Sequence, residues 1–134
     1  MKHMQLVRVQ DVMKSDFDLV KQIATIADAL KQAKHLDAEC LLVDRHDADD
    51  EYGIVLLSDI AKKVLGADKA ADRVNVYEIM SKPVVSVTPE MDIRYCARLF
   101  ERFGLTLAPV IKEGKVVGIV SYRDIVLRGL RDRL

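Results

Sequence analysis

Tryptophan is absent and aromatic residues make up only 5% of the chain. Tyr52, Tyr77, Tyr95 and Tyr122 are too dispersed to build a stacking platform for single-stranded nucleic acid. Net charge is missing as well, with 21 basic against 21 acidic side chains, so no broad field draws nucleic acid or an anionic membrane. No apolar run approaches the roughly 20 residues of a membrane span, and the opening MKHMQLVRVQ has no apolar signal core. A soluble, cytoplasmic protein is expected. Cys40 and Cys96 are isolated from each other and from any zinc-type spacing, and read as small buried apolar residues. His3, His35 and His46 are scattered, with no nucleophile signature beside them. No catalytic residue, metal site or required cofactor is therefore expected, and an enzyme would need a cluster that the chain does not contain.

What is present is a repeat. The 134 residues, half of them apolar, suffice for an ordinary core without disulfides or metals. A shift of 67 residues lays VRVQDVM, ending at Met13, on VNVYEIM, ending at Met80, and Ile26 on Ile93. After a two-residue slip YGIVLLSDI falls on VGIVSYRDI, so that Gly53, Ile54, Val55 and Asp59 meet Gly118, Ile119, Val120 and Asp124. The sequence divides into a tail 1–8, a first copy 9–65, a polar linker 66–75, a second copy 76–130 and a tail 131–134.

Apolar spacing predicts the elements of each copy. Val85 and Val87 alternate as a short strand, and TPEMD opens a helix whose apolar face is Ile93, Cys96, Ala97, Phe100 and Phe103. The first copy repeats this face as Ile26, Ala29, Leu30, Ala33 and Leu36, with Phe17 and Leu19 as its strand pair. LAPVI, KEGK and VVGIV read as two strands and a tight turn, after Gly104 has closed the helix. The order strand, helix, strand, strand, helix gives one parallel and one antiparallel pair. Each copy alone would be marginal, so two sheets packed face to face with pseudo-two-fold symmetry are expected, an α/β (α+β) fold.

The runs VYEIMSKPVVSVTPEMDI, LAPVI and GIVSYRD together resemble a tandem pair of CBS domains, the Bateman module, over nearly the whole chain. The resemblance implies a non-catalytic regulatory module that binds an adenine nucleotide, AMP, ADP or ATP, in the cleft between the repeats. It further implies a homodimer, and signalling to an effector protein of unknown identity, since no effector domain is visible. S-adenosylmethionine or NAD is the alternative ligand, and a ligand-free dimerisation scaffold the alternative function. By the same resemblance Asp124 accepts from ribose hydroxyls and Ser121 lies near phosphate, with Tyr122 and Arg123 beside them. Lys82, Pro83, Val84, Ala108 and Pro109 line the adenine pocket. Ser15, Phe17, Ser58 and Asp59 form a second, degenerate site, because Leu56 stands where the hydroxyl residue belongs.

The residues themselves leave Asp124 open to two roles. A carboxylate is acceptor-only and suits a vicinal diol, yet Ser121 followed three residues later by Asp124 is also a capping box. The acidic stretch DRHDADDE, residues 44–51, lacks calcium-loop spacing and reads as a solvated hairpin tip. Arg128, Arg131 and Arg133 read as the exposed face of the last helix.

Overall fold

A computed structural model gives the fold, with residues 5–134 described; residues 1–4 of the tail, His3 among them, lie outside the described residues. In chain order the elements are α1 (Val9–Val12), β1 (Leu19–Val20), α2 (Ile26–Gln32), β2 (Cys40–Val43), β3 (Gly53–Leu56) and α3 (Leu57–Ile60). They continue with α4 (Val76–Ile79), α5 (Ile93–Phe103), β4 (Leu107–Lys112), β5 (Lys115–Ser121) and α6 (Tyr122–Asp124). Both α3 and α6 run on without a break as π-type turns, through Ala61–Leu65 and Ile125–Leu130. The fold is α+β, with small sheets.

Two compact units divide the described residues, and they cut across the two sequence copies: one is 17–84, the other 5–16 with 85–134. In the first, β1 runs parallel to β2 and β2 antiparallel to β3, as a helix crossover and a hairpin require. Its core is Val20, Ile26, Ala29, Leu41, Val43, Val55, Ile60, Val64, Val74, Val76 and Ile79. The other unit pairs β4 antiparallel with β5 through a turn at Glu113 and Gly114, both at positive φ. Its core gathers Val7, Val9 and Val12 with Ile93, Cys96, Phe100, Ala108, Val110, Val120 and Ile125.

The interleaving is written in matched backbone bonds. Val76 N–H donates to Ala24 O (2.8 Å), Tyr77 N–H to Gln22 O (3.0 Å) and Ile26 N–H to Val74 O (2.8 Å). Sixty-seven residues away, Val9 N–H donates to Met91 O (2.8 Å), Gln10 N–H to Pro89 O (3.0 Å) and Ile93 N–H to Val7 O (3.0 Å). The helix that opens each copy thus packs in the unit built on the other copy. Val7 and Val74 are buried for the same reason, although 1–8 reads as a tail and 66–75 as a polar linker.

Four local expectations need correction. The first strand is Leu19–Val20, with Val20 buried and Leu19 exposed, because Asp18 is engaged in accepting the N–H groups of Lys34 (2.8 Å) and His35 (2.9 Å). Those bonds also stop α2 at Gln32, so Leu36 falls in a separate 3₁₀ turn. Phe103 lies outside the buried face of α5, at 57% exposure. The expected strand at Val85 and Val87 is a single parallel bridge, Val87 to Val110, because Val84 is still bonded to Tyr52 O in the unit 17–84.

Candidate functional site

β5 ends and α6 begins at Ser121, whose extended backbone turns the chain into the helix. The Ser121 hydroxyl accepts the Asp124 N–H at 3.2 Å and donates to Asp124 Oδ2 at 2.9 Å. The serine half of the capping box is therefore made, while the Asp124 carboxylate bonds the Ser121 hydroxyl in place of its backbone N–H, and Asp124 is only 4% exposed. An ionised carboxylate has about four acceptor positions, and the hydroxyl occupies one of them. Tyr122 sets its ring against Phe100, edge to face at 5.2 Å, while Arg123 is exposed. Ala108 and Pro109 are buried in β4, opposite Val120 and Ile119 of β5. Six of the expected ligand residues thus share one unit.

Lys82, Pro83 and Val84 belong to the other unit. There Lys82 Nζ meets Asp50 Oδ1 at 2.5 Å, and Val84 N–H donates to Tyr52 O at 3.1 Å. The second expected site is divided as well: Ser15 lies in the unit of Asp124, and Phe17, Ser58 and Asp59 in the unit 17–84. Asp59 caps α3 without a hydroxyl, its Oδ2 accepting Leu56 N–H at 3.0 Å. A backbone donor has replaced the serine.

The loop 44–51 is not simply a solvated tip. Besides Lys82, Asp50 accepts from Gln22 Nε2 and from His46 N–H, each at 2.8 Å. The Lys82 ammonium above all, then these donors, hold its carboxyl well below the usual carboxylate range. The ordered loop walls a cleft of about 340 Å³ lined by Lys21, Gln22, Ile23, Asp44, Arg45 and His46. Residue periodicity gives no sign of this cleft; the signal is the mismatch between the connection 44–52 and the two-residue turn in the second copy. Arg128 is exposed, as its reading has it, and donates to Met13 O, the C-cap of α1, at 3.0 Å.

Asp92, the N-cap of α5, is likewise held low by Arg94, through its guanidinium (2.7 Å) and its backbone N–H (2.8 Å). Asp50 and Asp92 both titrate lower folded than unfolded. Each contributes stability that is complete above the unfolded value near 4 and is lost as pH falls below it. The thermal midpoint is expected to fall on acidification from about pH 5 to about pH 3, and less steeply in Asp92→Asn. An equally steep fall in that variant would place the acid sensitivity elsewhere.

The thiols of Cys40 and Cys96 are pushed up to about 12 and about 11 by burial, which suits inert core residues. Among the described residues no group of three His, Cys, Asp or Glu side chains is placed to hold a metal, and no helix is long and apolar enough to cross a membrane.

Residues 76–130 match the CBS domain family. A solved hexameric CBS-CP12 protein from bloom-forming cyanobacteria is 36% identical, over 93% of this chain and 72% of its own, with a TM-score of 0.87. The L-aspartate semialdehyde sulfurtransferase of Methanosarcina acetivorans is 32% identical over 127 residues, 93% of this chain and 24% of that protein. The CBS domain pair of protein MJ0100, in complex with 5′-methylthioadenosine and S-adenosyl-L-methionine, shares the fold at 23% identity and a TM-score of 0.73, over 90% of this chain and 93% of its own. The chain spans between about a fifth and two thirds of the length of the curated relatives it matches.

Proposed function

Because the chain belongs to the CBS-domain family, as a tandem pair of its repeats, we propose that it is a non-catalytic regulatory module that binds an adenine nucleotide, AMP, ADP or ATP, at Ser121 and Asp124 and signals to a partner protein. The observation that carries this reading is Asp124: a carboxylate 4% exposed, at the head of a helix, with one acceptor position taken by Ser121. Burial of a carboxylate is costly unless its acceptors are used, and a ribose diol offers two donors to those that remain. Arg123, exposed beside it, suits a phosphate. The nucleotide acts as a regulatory ligand, and no cofactor is required.

Thermal-shift titration with AMP, ADP, ATP, S-adenosylmethionine and NAD tests this. A ligand at 100 times its dissociation constant adds about 2.7 kcal/mol, a rise of several degrees for a domain of this size. The rise is expected to vanish in Asp124→Ala and to persist in Asp59→Ala. No rise with any of the five, in protein stripped of nucleotide, overturns the reading. It would favour the second one, a ligand-free dimerisation scaffold, which has its own support in the service of Ser121 as the N-cap of α6.

Homodimerisation belongs to both readings. Tyr122, Val126 and Leu130 recur every four residues along α6 and its continuation, 36%, 49% and 45% exposed, an apolar stripe suited to a second copy. Light scattering is expected to give a dimer for the wild type and a monomer for Val126→Glu with Leu130→Glu. A monomeric wild type, or a dimer that survives both changes, rejects this surface.

A further inference from the structure

We propose that the cleft in the unit 17–84 is a second ligand site, separate from Asp124, that takes a small oxyanion of the phosphate or carboxylate class. The cleft opens beyond the carboxyl ends of the parallel strands β1 and β2, between the segment that follows Val20 and the loop that follows Val43. A volume of about 340 Å³ is that of a small-molecule pocket. It is specific to this unit, because the other copy closes the corresponding hairpin with Glu113 and Gly114 alone.

The chemistry of the walls is cationic. Lys21 stands on one side and Arg45 with His46 on the other. The Arg45 guanidinium lies over the Tyr52 ring, 4.8 Å from its centroid. A guanidinium held against an aromatic face is already ordered and keeps its in-plane donors for a forked oxyanion. Two cations, Lys21 and Arg45, stand against one carboxylate in the lining. Asp44, the one carboxylate in the lining, accepts the Arg45 N–H at 2.8 Å. Asp47 accepts the Asp49 N–H at 2.9 Å, and Asp50 is paired with Lys82. Gln22 ties the two walls together, donating to Asp50 Oδ2 at 2.8 Å and to Asp44 O at 3.3 Å.

The test is an amide chemical-shift titration of the full chain with inorganic phosphate, pyrophosphate and succinate at matched ionic strength. Saturable shifts are expected at residues 20–25 and 43–47. Affinity should fall about tenfold in Arg45→Gln, the loss of one charge-assisted pair, and also fall in Lys21→Gln, while staying unchanged in Asp124→Ala. Preference for pyrophosphate assigns the phosphate class, and preference for succinate the carboxylate class. Shifts that do not saturate, that are equal in wild type and both cleft variants, or that centre on Ser121 and Asp124 overturn the proposal. Lys21→Gln, at an exposed position, keeps it falsifiable should Arg45→Gln disturb the loop. Because Asp124→Ala leaves this cleft intact, failure here and failure of the nucleotide reading are told apart.

Discussion

Phe100→Ala is expected to destabilise the protein by about 3–5 kcal/mol, the range for emptying an aromatic site in a packed core. Phe100 has no exposed surface and sits among Val12, Cys96, Val110, Val120 and Ile125. Its neighbours come from α1, α5, β4, β5 and the π-type continuation of α6, so no single shift of one element refills the space. The ring also meets Tyr122 edge to face at 5.2 Å and 79°, a contact worth about 0.5–1.5 kcal/mol beyond area. Tyr122 lies between Ser121 and Asp124 in the chain, so losing its contact with Phe100 loosens a residue of the proposed nucleotide site. Any nucleotide-induced thermal shift should shrink in the same variant. Phe103→Ala is the control: the same helical periodicity that marks Phe100 marks Phe103, but its 57% exposure puts the expected cost within about 0.5 kcal/mol. Urea unfolding followed by circular dichroism separates the two. Equal midpoints would mean that the core of residues 5–16 and 85–134 is not organised around Phe100.

Much of this was legible in the residues. The repeat follows from comparing the chain with itself, and the order of elements, the buried positions Ile93, Cys96 and Phe100 of α5, the turn in KEGK and the junction at Ser121 follow from short local patterns. What was not legible is long-range. Matching VRVQDVM to VNVYEIM identifies equivalent segments without saying which copy's strands each one packs with, since the apolar frame fits either. Asp18 was invisible as the residue that ends α2, because its bonds go to Lys34 and His35, across the crossover helix. The Asp50–Lys82 pair joins a loop to a segment far along the chain, and with Gln22 it converts an acidic stretch into the wall of a cleft. Asp124 shows the remaining limit. Ser-x-x-Asp supports a cap and a ligand contact with the same atoms, and the structure contains the cap while leaving acceptor positions over.

Interleaving also has a mechanical requirement, and Gly118→Ala is expected to break it. Lys14 and Ile119 exchange both backbone hydrogen bonds at 2.8 Å, pinning the segment after α1 to β5. A Cβ built on Gly118 would lie 2.6 Å from Lys14 O and 2.8 Å from Met13 Sδ. The methionine can swing aside, but the carbonyl can move only with the segment after α1, so the bridge must open. The cost is expected to be about 3 kcal/mol, at the upper end for overpacking, with amide exchange rising at Lys14 and Ile119. Gly53 supplies the comparison within the same chain. It holds the equivalent place beside the Ile54–Ser81 bridge, yet its added Cβ would lie 3.1 Å from Ser81 O and 3.2 Å from Met80 Sδ, a crowding relieved by a few tenths of an ångström. Gly53→Ala should therefore cost less, about 1 kcal/mol. Neither glycine is among the residues at positive φ, so backbone freedom does not explain either one, and close approach of two strands remains as the cause. A Gly118→Ala protein as stable as Gly53→Ala would show that the segment 9–16 can leave β5 without loss, and that α1 holds its place through the packing of Val9 and Val12 and the bonds of Val9 and Gln10 to Met91 and Pro89.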